Sequence, residues 1–185
     1  MVNEMIRVVG APADVSGRTP REQRSYALLE QLGVTFDRVD HPAADDMTAC
    51  AAVGKVLGAP LCKNLFLCNR QKTKFYLLAM PGEKPFKTKE LSGQLGIARL
   101  SFAGPKEMAR LLDVTPGSVS VLGLMQDTQQ SVQLLLDEDL RQEPWFGCHP
   151  CQNTSSLRMK IEDLLQIVLP ALHHDPIWVT LRGED

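Results

Sequence analysis

The chain has 185 residues, 44% of them apolar and 23% charged, with a formal net charge of −2, the balance of a soluble globular protein large enough for one ordinary domain with its own core. Its longest apolar runs, "SVQLLLD" and "LLQIVLPAL", are too short to cross a bilayer, and "MVNEMIRVVG" lacks the basic start and apolar stretch of a secretory leader, so the sequence points to the cytoplasm and away from membranes. Five cysteines without framework spacing fit reduced thiols better than a disulfide scaffold.

Charge is unevenly spread. Residues 1–54 sum to −3, residues 55–110 to +8 and residues 111–185 to −7. A basic block inside an acidic chain is what a polyanion-binding face requires. The alternative is a set of solvated lysines balanced in space by the acidic ends.

The first predicted element is a helix in "TPREQRSYALLEQLG": Thr19 caps it, Pro20 takes the first helical position and Glu22 completes a capping box. Tyr26, Leu28, Leu29 and Leu32 form its apolar face and Gly33 ends it. "VTFDRVDH" alternates as a strand, and "MTACAAVGKVLG" reads as a second helix closed by Gly58. "NLFLCN" and "KFYLLAM", joined by "RQKT", read as a hairpin. A short helix "KTKELSGQLG", a short strand "RLSFA" and a proline-led helix "PKEMARLLD" follow. "SVSVLGLM" and "SVQLLLD" are expected as strands, "EDLRQE" as a helical turn and "WFGCH" as a strand. "IEDLLQIVLPAL" is the closing helix and "IWVTL" the last strand. No repeat or linker divides the chain, so residues 1–185 read as a single α+β domain with a mixed, largely antiparallel sheet.

Four stretches carry candidate chemistry. In "FGCHPCQNT", Cys148 and Cys151 have the spacing of half a zinc site or of a redox pair, but no convincing second ligand pair or βαβ context accompanies them; small buried thiols are the plainer reading. Lys63 stands at the mouth of an apolar strand, where an ammonium can hold a phosphate or carbonyl oxygen, or simply protect a strand edge. "DHPAADDMT" places His41, Asp45, Asp46 and Thr48 at a helix N-terminus, either a polar ligand site or an ordinary capped turn. In "LDVTPGSVSVLGLMQD", Pro116-Gly117 is a turn, and Gly123 interrupts an apolar run, marking a bulge or a close approach, with Leu124 and Met125 available to line an apolar pocket. His173-His174-Asp175 reads as a partner for the end of the last helix. Serine-hydrolase, zincin and phosphate-loop signatures are absent.

The succession "HPAADDMT", "CKNLFLCN…KFYLLAMPG", "LSFAGPKEMARLLDVTPGSVSVLGLMQD", "LLLDEDL", "HPCQNT…IEDLLQIVL" and "PIWVTL" resembles the YbaK/prolyl-tRNA-synthetase-associated editing domain family, in particular its PrdX-type free-standing proteins. The resemblance runs from residue 20 to 181 and rests most on Lys-Asn-Leu-Phe-Leu and the Pro-Gly-Ser-Val turn. It implies a barrel-like sheet flanked by helices. It also implies hydrolysis, in trans, of the ester joining a wrong amino acid to tRNA, first of all alanine on tRNA(Pro). Cysteinyl or seryl esters, or a non-catalytic tRNA-binding relative, are the alternatives. Lys63 matches the family's catalytic lysine and Asn64 the asparagine beside it. His149, Pro150, Asn153 and Thr154 match its pocket elements, Thr48 its helix-opening threonine and Gly123 its strand glycine. "FGCHPCQNT" then becomes pocket wall. The implied partner is the acceptor end of tRNA(Pro), held by the basic block, with prolyl-tRNA synthetase as a second candidate partner. No cofactor or metal is implied. Ser118-Val119-Ser120-Val121, where relatives have Ser-Val-Thr-Pro, and the two cysteines around His149-Pro150 depart from the pattern and bear on amino-acid preference.

Overall fold

Two sheets face each other across the main core in the computed structural model, which describes residues 4–184. In chain order the elements are β1 (Arg7–Val9), α1 (Pro20–Gln31), β2 (Phe36–Asp40), α2 (Met47–Leu57), β3 (Cys62–Cys68), β4 (Phe75–Pro81), α3 (Thr88–Leu95), β5 (Ser101–Phe102) and α4 (Pro105–Leu112). A 3-10 turn (Val121–Gln126), β6 (Val132–Asp137), a second 3-10 turn (Glu138–Gln142), β7 (Trp145–Cys148) and β8 (Ser155–Lys160) follow, then a closing helix over residues 161–171 and β9 (Ile177–Val179). The first sheet, β1-β2-β8-β7, is antiparallel throughout. The second, β5-β3-β4-β6-β9, is antiparallel up to β4 and parallel beyond it. This is the expected mixed α+β architecture, with one correction: the sheets do not close into a barrel. They meet at a parallel bridge between Leu61 and Gly147.

Local chemistry explains most boundaries. Thr19 Oγ1 accepts from the Glu22 N–H at 3.4 Å and Pro20 opens α1. Gly58 and Gly96 end α2 and α3 with φ of 72° and 66°, a conformation that costs glycine little. The closing helix widens into a π turn at Leu164–Val168 immediately before Pro170, which has no N–H to offer the carbonyl four residues back.

The second sheet is buried on both sides, which is why β4 reads as an unbroken apolar run. Phe75, Leu77 and Ala79 face the main core with Phe36, Phe146, Leu157 and Met159 of the first sheet. Leu78 and Met80 face the other way, against Leu91 of α3 and Leu181. Behind the first sheet, α2 seats Val53 and Leu57 on Val39.

Four features differ from the sequence reading. "SVSVLGLM" is not a strand: Ser120 Oγ accepts from the Leu122 N–H at 3.2 Å and winds Val121–Gln126 into a 3-10 turn. Residues 118–124 are all buried, so no alternation was available to reveal this. The edge strand β1 was not expected, and all three of its residues are exposed. Nor was β8, whose two leading serines are fully buried. His174 does more than partner the end of the closing helix, whose cap carbonyl at Leu172 it meets as expected. It is 4% exposed, with Nε2 3.0 Å from Asp127 Oδ2 and Nδ1 2.6 Å from the Leu172 carbonyl, and it fastens the chain before β9 to the start of β6.

Gly147 is where the two sheets touch. A Cβ there would lie 2.4 Å from the Pro60 carbonyl oxygen, a backbone atom with little freedom to retreat. We expect Gly147→Ala to lower the free energy of urea unfolding by about 1–3 kcal/mol through overpacking. A change below about 0.5 kcal/mol, the range of ordinary surface substitutions, would show that the approach is not required.

Candidate active site

The Leu61–Gly147 bridge sets the start of β3 beside the end of β7. Lys63 and His149 each lie two residues beyond the bridge on parallel segments, and both line one cavity of about 200 Å³. The rest of the wall comes from the β2–α2 loop (Asp45), the first turns of α2 (Met47, Cys50) and the turn before the first 3-10 element (Gly117, Val119). Gly117 has φ of +85°, and a Cβ there would sit 3.5 Å from Asn153 Nδ2.

Lys63 is half-buried and its Nζ donates to the Lys84 carbonyl at 2.7 Å. An ammonium has three N–H bonds, so two remain for a ligand. Burial lowers its pKa, and no nearby carboxylate offsets that among the described residues. Lys84 is treated oppositely. Its Nζ lies 2.8 Å from both oxygens of the buried Asp137 and 2.7 Å from Asp139 Oδ2. Burial works against its charge, and these carboxylates outweigh burial and raise its pKa. Lys84 therefore anchors the loop after β4, and its carbonyl aims Lys63. Beside it, Asn64 Nδ2 donates to the Cys62 carbonyl at 3.2 Å, while Asn64 Oδ1 is buried without a partner.

His149 is 8% exposed. Nδ1 lies 2.9 Å from the Ser155 carbonyl and 3.2 Å from Ser156 Oγ; facing a carbonyl, it carries the proton. Burial lowers the pKa, a hydrogen bond to Ser155 opposes this, and His41 adds to the lowering. The neutral ring thus keeps Nε2 as an acceptor. Ser156 Oγ in turn lies 2.8 Å from His41 Nε2, and His41 Nδ1 lies 2.7 Å from the Pro42 carbonyl. One proton order satisfies all these contacts: His149 Nδ1–H shared between the Ser155 carbonyl and Ser156 Oγ, Ser156 O–H to His41 Nε2, and His41 Nδ1–H to Pro42.

The loops are stitched by backbone. The His41 N–H donates to the Thr154 carbonyl and the Ala44 N–H to the Asn153 carbonyl, both at 3.0 Å. Asn153 donates its own N–H to Ser118 Oγ at 3.1 Å and its Nδ2 to Asp45 Oδ1 at 2.9 Å. Lys63, Asn64 and His149 are thus brought together, with Asn153, Thr154 and the buried Pro150 in the loop that frames them.

Two expected residues stand elsewhere. Thr48 is exposed on α2 and outside the cavity lining; Asp46 caps that helix, its Oδ1 accepting from the Ala49 N–H at 2.8 Å. Gly123 is in the 3-10 turn, where a Cβ would come 3.0 Å from the Leu112 carbonyl oxygen, so its smallness serves packing against α4. Leu124 is core, Met125 packs on the core, and the cavity takes Gly117 and Val119 instead. Ser156 escaped the sequence reading because a buried serine in a strand has no sequence signature.

Cys148 and Cys151 are both 2% exposed. Burial pushes the Cys151 thiol up to about 11, and the Cys148 thiol above its ordinary range. Both thiols resist ionisation, unlike an attacking thiolate. Among the described residues no cluster of three His, Cys, Asp or Glu side chains is placed to hold a metal ion.

The basic block is not one patch around Lys63. β3 has seven residues, so the Arg70–Lys74 turn lies about 20 Å from Lys63. Lys72 is 3.5 Å from Glu107, and Lys84 is neutralised as described.

The sequence profile of the aminoacyl-tRNA editing domain matches residues 41–167, which include every segment of this cavity. The chain belongs to the aminoacyl-tRNA editing domain family. Family relatives include the prolyl-tRNA editing protein ProX of Acetoanaerobium sticklandii, 25% identical over 147 residues (80% of this chain, 90% of ProX). Prolyl-tRNA synthetase associated domain-containing protein 1 is 28% identical in Danio rerio (81% of this chain, 82% of the relative) and 29% in Mus musculus (86% and 94%). The crystal structure of a candidate trans-editing enzyme for prolyl tRNA synthetase shares the fold with a TM-score of 0.64 at 18% identity, covering 88% of this chain and 98% of the other. No helix among the described residues is long and apolar enough to cross a membrane.

The His149 arrangement has a pH signature. The unfolded chain takes up a proton at this residue near pH 6.5, whereas the folded chain resists it. Stability then falls as pH drops below 6.5, with a slope of up to about 1.4 kcal/mol per pH unit. We expect His149→Asn, whose Nδ2 can still donate to Ser155, to lose less stability than wild type between pH 6.5 and 5.5 in urea titrations. Equal slopes would refute the buried neutral imidazole.

Proposed function

We propose that this chain is a trans-editing deacylase acting on mischarged tRNA(Pro), alanyl-tRNA(Pro) foremost. The observation that carries the reading is the Lys63 ammonium, half-stripped of water, with two N–H bonds to spare beside a cavity of about 200 Å³. The family match and the relatives named for prolyl-tRNA editing support it.

An aminoacyl ester is already activated, so positioned water and charge stabilisation are sufficient and no side-chain nucleophile is needed. Water adds to the ester carbonyl, and the tetrahedral intermediate collapses to free amino acid and the ribose hydroxyl of the tRNA. In this reading Lys63 holds the terminal phosphate or ribose and stabilises oxygen charge. His149 Nε2 and Asn64 shape the polar wall, and the Asn153–Thr154 loop and Pro150 fix its position. The free 2′-hydroxyl of the terminal ribose helps to orient the water. In this reading the walls, not the total volume, discriminate the methyl side chain from the pyrrolidine ring, which spares the correct product. Asp45, an acceptor on the wall, favours the seryl ester as the second substrate to test.

The assay is release of labelled amino acid from alanyl-, seryl-, cysteinyl- and prolyl-tRNA(Pro). We expect turnover at catalytic enzyme concentration, with the prolyl ester slower than the alanyl by about 10- to 200-fold. Stoichiometric binding without release would overturn the enzyme in favour of a binding protein. Lys63→Ala should lower kcat/KM by about 10²–10³-fold with an unchanged circular dichroism spectrum, whereas near-normal turnover would remove Lys63 from its role. Cys148→Ala and Cys151→Ala should retain activity.

A further inference from the structure

Two buried histidines flank Ser156, and the reading above gives work to only one of them. His41 and His149 are each 8% exposed, and their ring centroids lie 6.1 Å apart. Ser156 is fully buried, with Oγ 2.8 Å from His41 Nε2 and 3.2 Å from His149 Nδ1. Those two nitrogens are its side-chain partners among the described residues. One hydroxyl proton cannot serve both. His41 Nδ1 faces the Pro42 carbonyl at 2.7 Å, which holds the imidazole proton there and leaves Nε2 bare. The Ser156 proton therefore goes to His41, and the Oγ lone pairs turn towards the Nδ1–H of His149.

We propose that His41 is a positioning residue for the deacylation: through Ser156 it keeps the His149 proton on Nδ1, so that Nε2 meets the α-ammonium of the aminoacyl ester as a bare acceptor. The inference rests on the deacylase reading and adds a residue to it. An ammonium has three N–H bonds and no lone pair, so it binds only an acceptor. The wall of the cavity suits a cation: Asp45 and Asp46 line it with His149, two carboxylates against the single ammonium of Lys63. With the proton on Nε2 instead, two N–H groups would confront each other. Remove the acceptor at position 41, and the Ser156 hydroxyl has one nitrogen left, His149 Nδ1. Turning to it drives the imidazole proton to Nε2. The Ser155 carbonyl, 2.9 Å from Nδ1, opposes that turn. Loss of His41 thus leaves two arrangements of similar worth, each with one buried polar group unpaired.

Long-range proton–nitrogen spectra show which ring nitrogen carries the proton. The chain has four histidines, and the signals lost in His149→Asn assign those of His149. Wild type should show the Nδ1–H form, and an Nε2–H form would overturn the proposal without any further variant. His41→Leu should populate the Nε2–H form and lower kcat/KM for alanyl-tRNA(Pro) by about 2- to 12-fold, the worth of one hydrogen bond. His41→Gln, whose Oε1 can still accept from Ser156, should keep the wild-type form. The double variant His41→Leu/Ser156→Ala removes the competing hydroxyl and should regain both the Nδ1–H form and the lost turnover. A residue that only supports the fold would not be rescued by deleting its neighbour's hydroxyl. A double variant as impaired as His41→Leu, or a His41→Leu protein that keeps the Nδ1–H form, would sink the assignment.

Two esters then test the link to the ammonium. Lactyl-tRNA(Pro) carries a hydroxyl in place of the amine, and a hydroxyl donates or accepts, so it is indifferent to the His149 tautomer. Measured with enzyme in excess over a single turnover, His41→Leu should be slowed on the alanyl ester and match wild type on the lactyl ester. Equal losses on the two esters would overturn the pairing of Nε2 with the ammonium. Should wild type hydrolyse neither ester, the deacylase reading falls, and the spectra still decide whether His41 sets the tautomer of His149.

Discussion

The site depends on a backbone contact between two sheets. Leu61 and Gly147 pair in parallel, and the absence of a side chain at 147 lets the Pro60 carbonyl come close. Parallel pairing carries the two chains away from the bridge side by side, so Lys63 and His149 arrive at one cavity although 86 residues separate them in sequence. The close approach is also why the sheets need not close into a barrel: one short bridge sets the geometry that the chemistry needs.

Around that bridge, charge is divided by burial. Lys84 meets the buried Asp137, and its cation serves the loop; Lys63 meets only a carbonyl, and its cation remains available. Histidine is divided in the same way. His174 faces a carboxylate and a carbonyl and ties β6 to the approach of β9. His149 faces a carbonyl and a serine hydroxyl and keeps an acceptor free at the cavity. In each pair the residue types are identical, and the partner supplied by the fold decides the role.

A buried polar network of this kind is stable only when its donors and acceptors are matched. Ser156 does the matching between His41 and His149, and Ser155 and Asp40 continue it outward to Arg18 and Tyr26. Burial raises the Asp40 pKa, yet hydrogen bonds from Arg18 and Arg38 outweigh it and hold the carboxyl below the usual range. The pocket wall is therefore braced by α1 and β2 as well as by the loop that forms it.

Much of this was legible in the residues. The capping box at Thr19–Glu22, the left-handed glycines and the continuous apolar run of β4 each obey short-range rules, and so read directly as helix starts, helix ends and a central strand. Lys63 at a strand mouth could be singled out for the same reason, whereas His149 was singled out only by the resemblance of its segment to the editing-domain family. Where short-range signals are silent, the reading failed: β8 begins with buried serines, and the stretch after Ser118 is buried on all sides. The sequence by itself determined most of the helices and the β3–β4 hairpin, because those depend on neighbours a few residues away. Only the tertiary structure decided that Lys63 meets a carbonyl while Lys84 meets carboxylates, and which glycine lines the cavity. Those follow from contacts between segments far apart in the chain, Lys63 with Lys84 and Gly117 with Asp45 and Asn153, for which the chain has no local code.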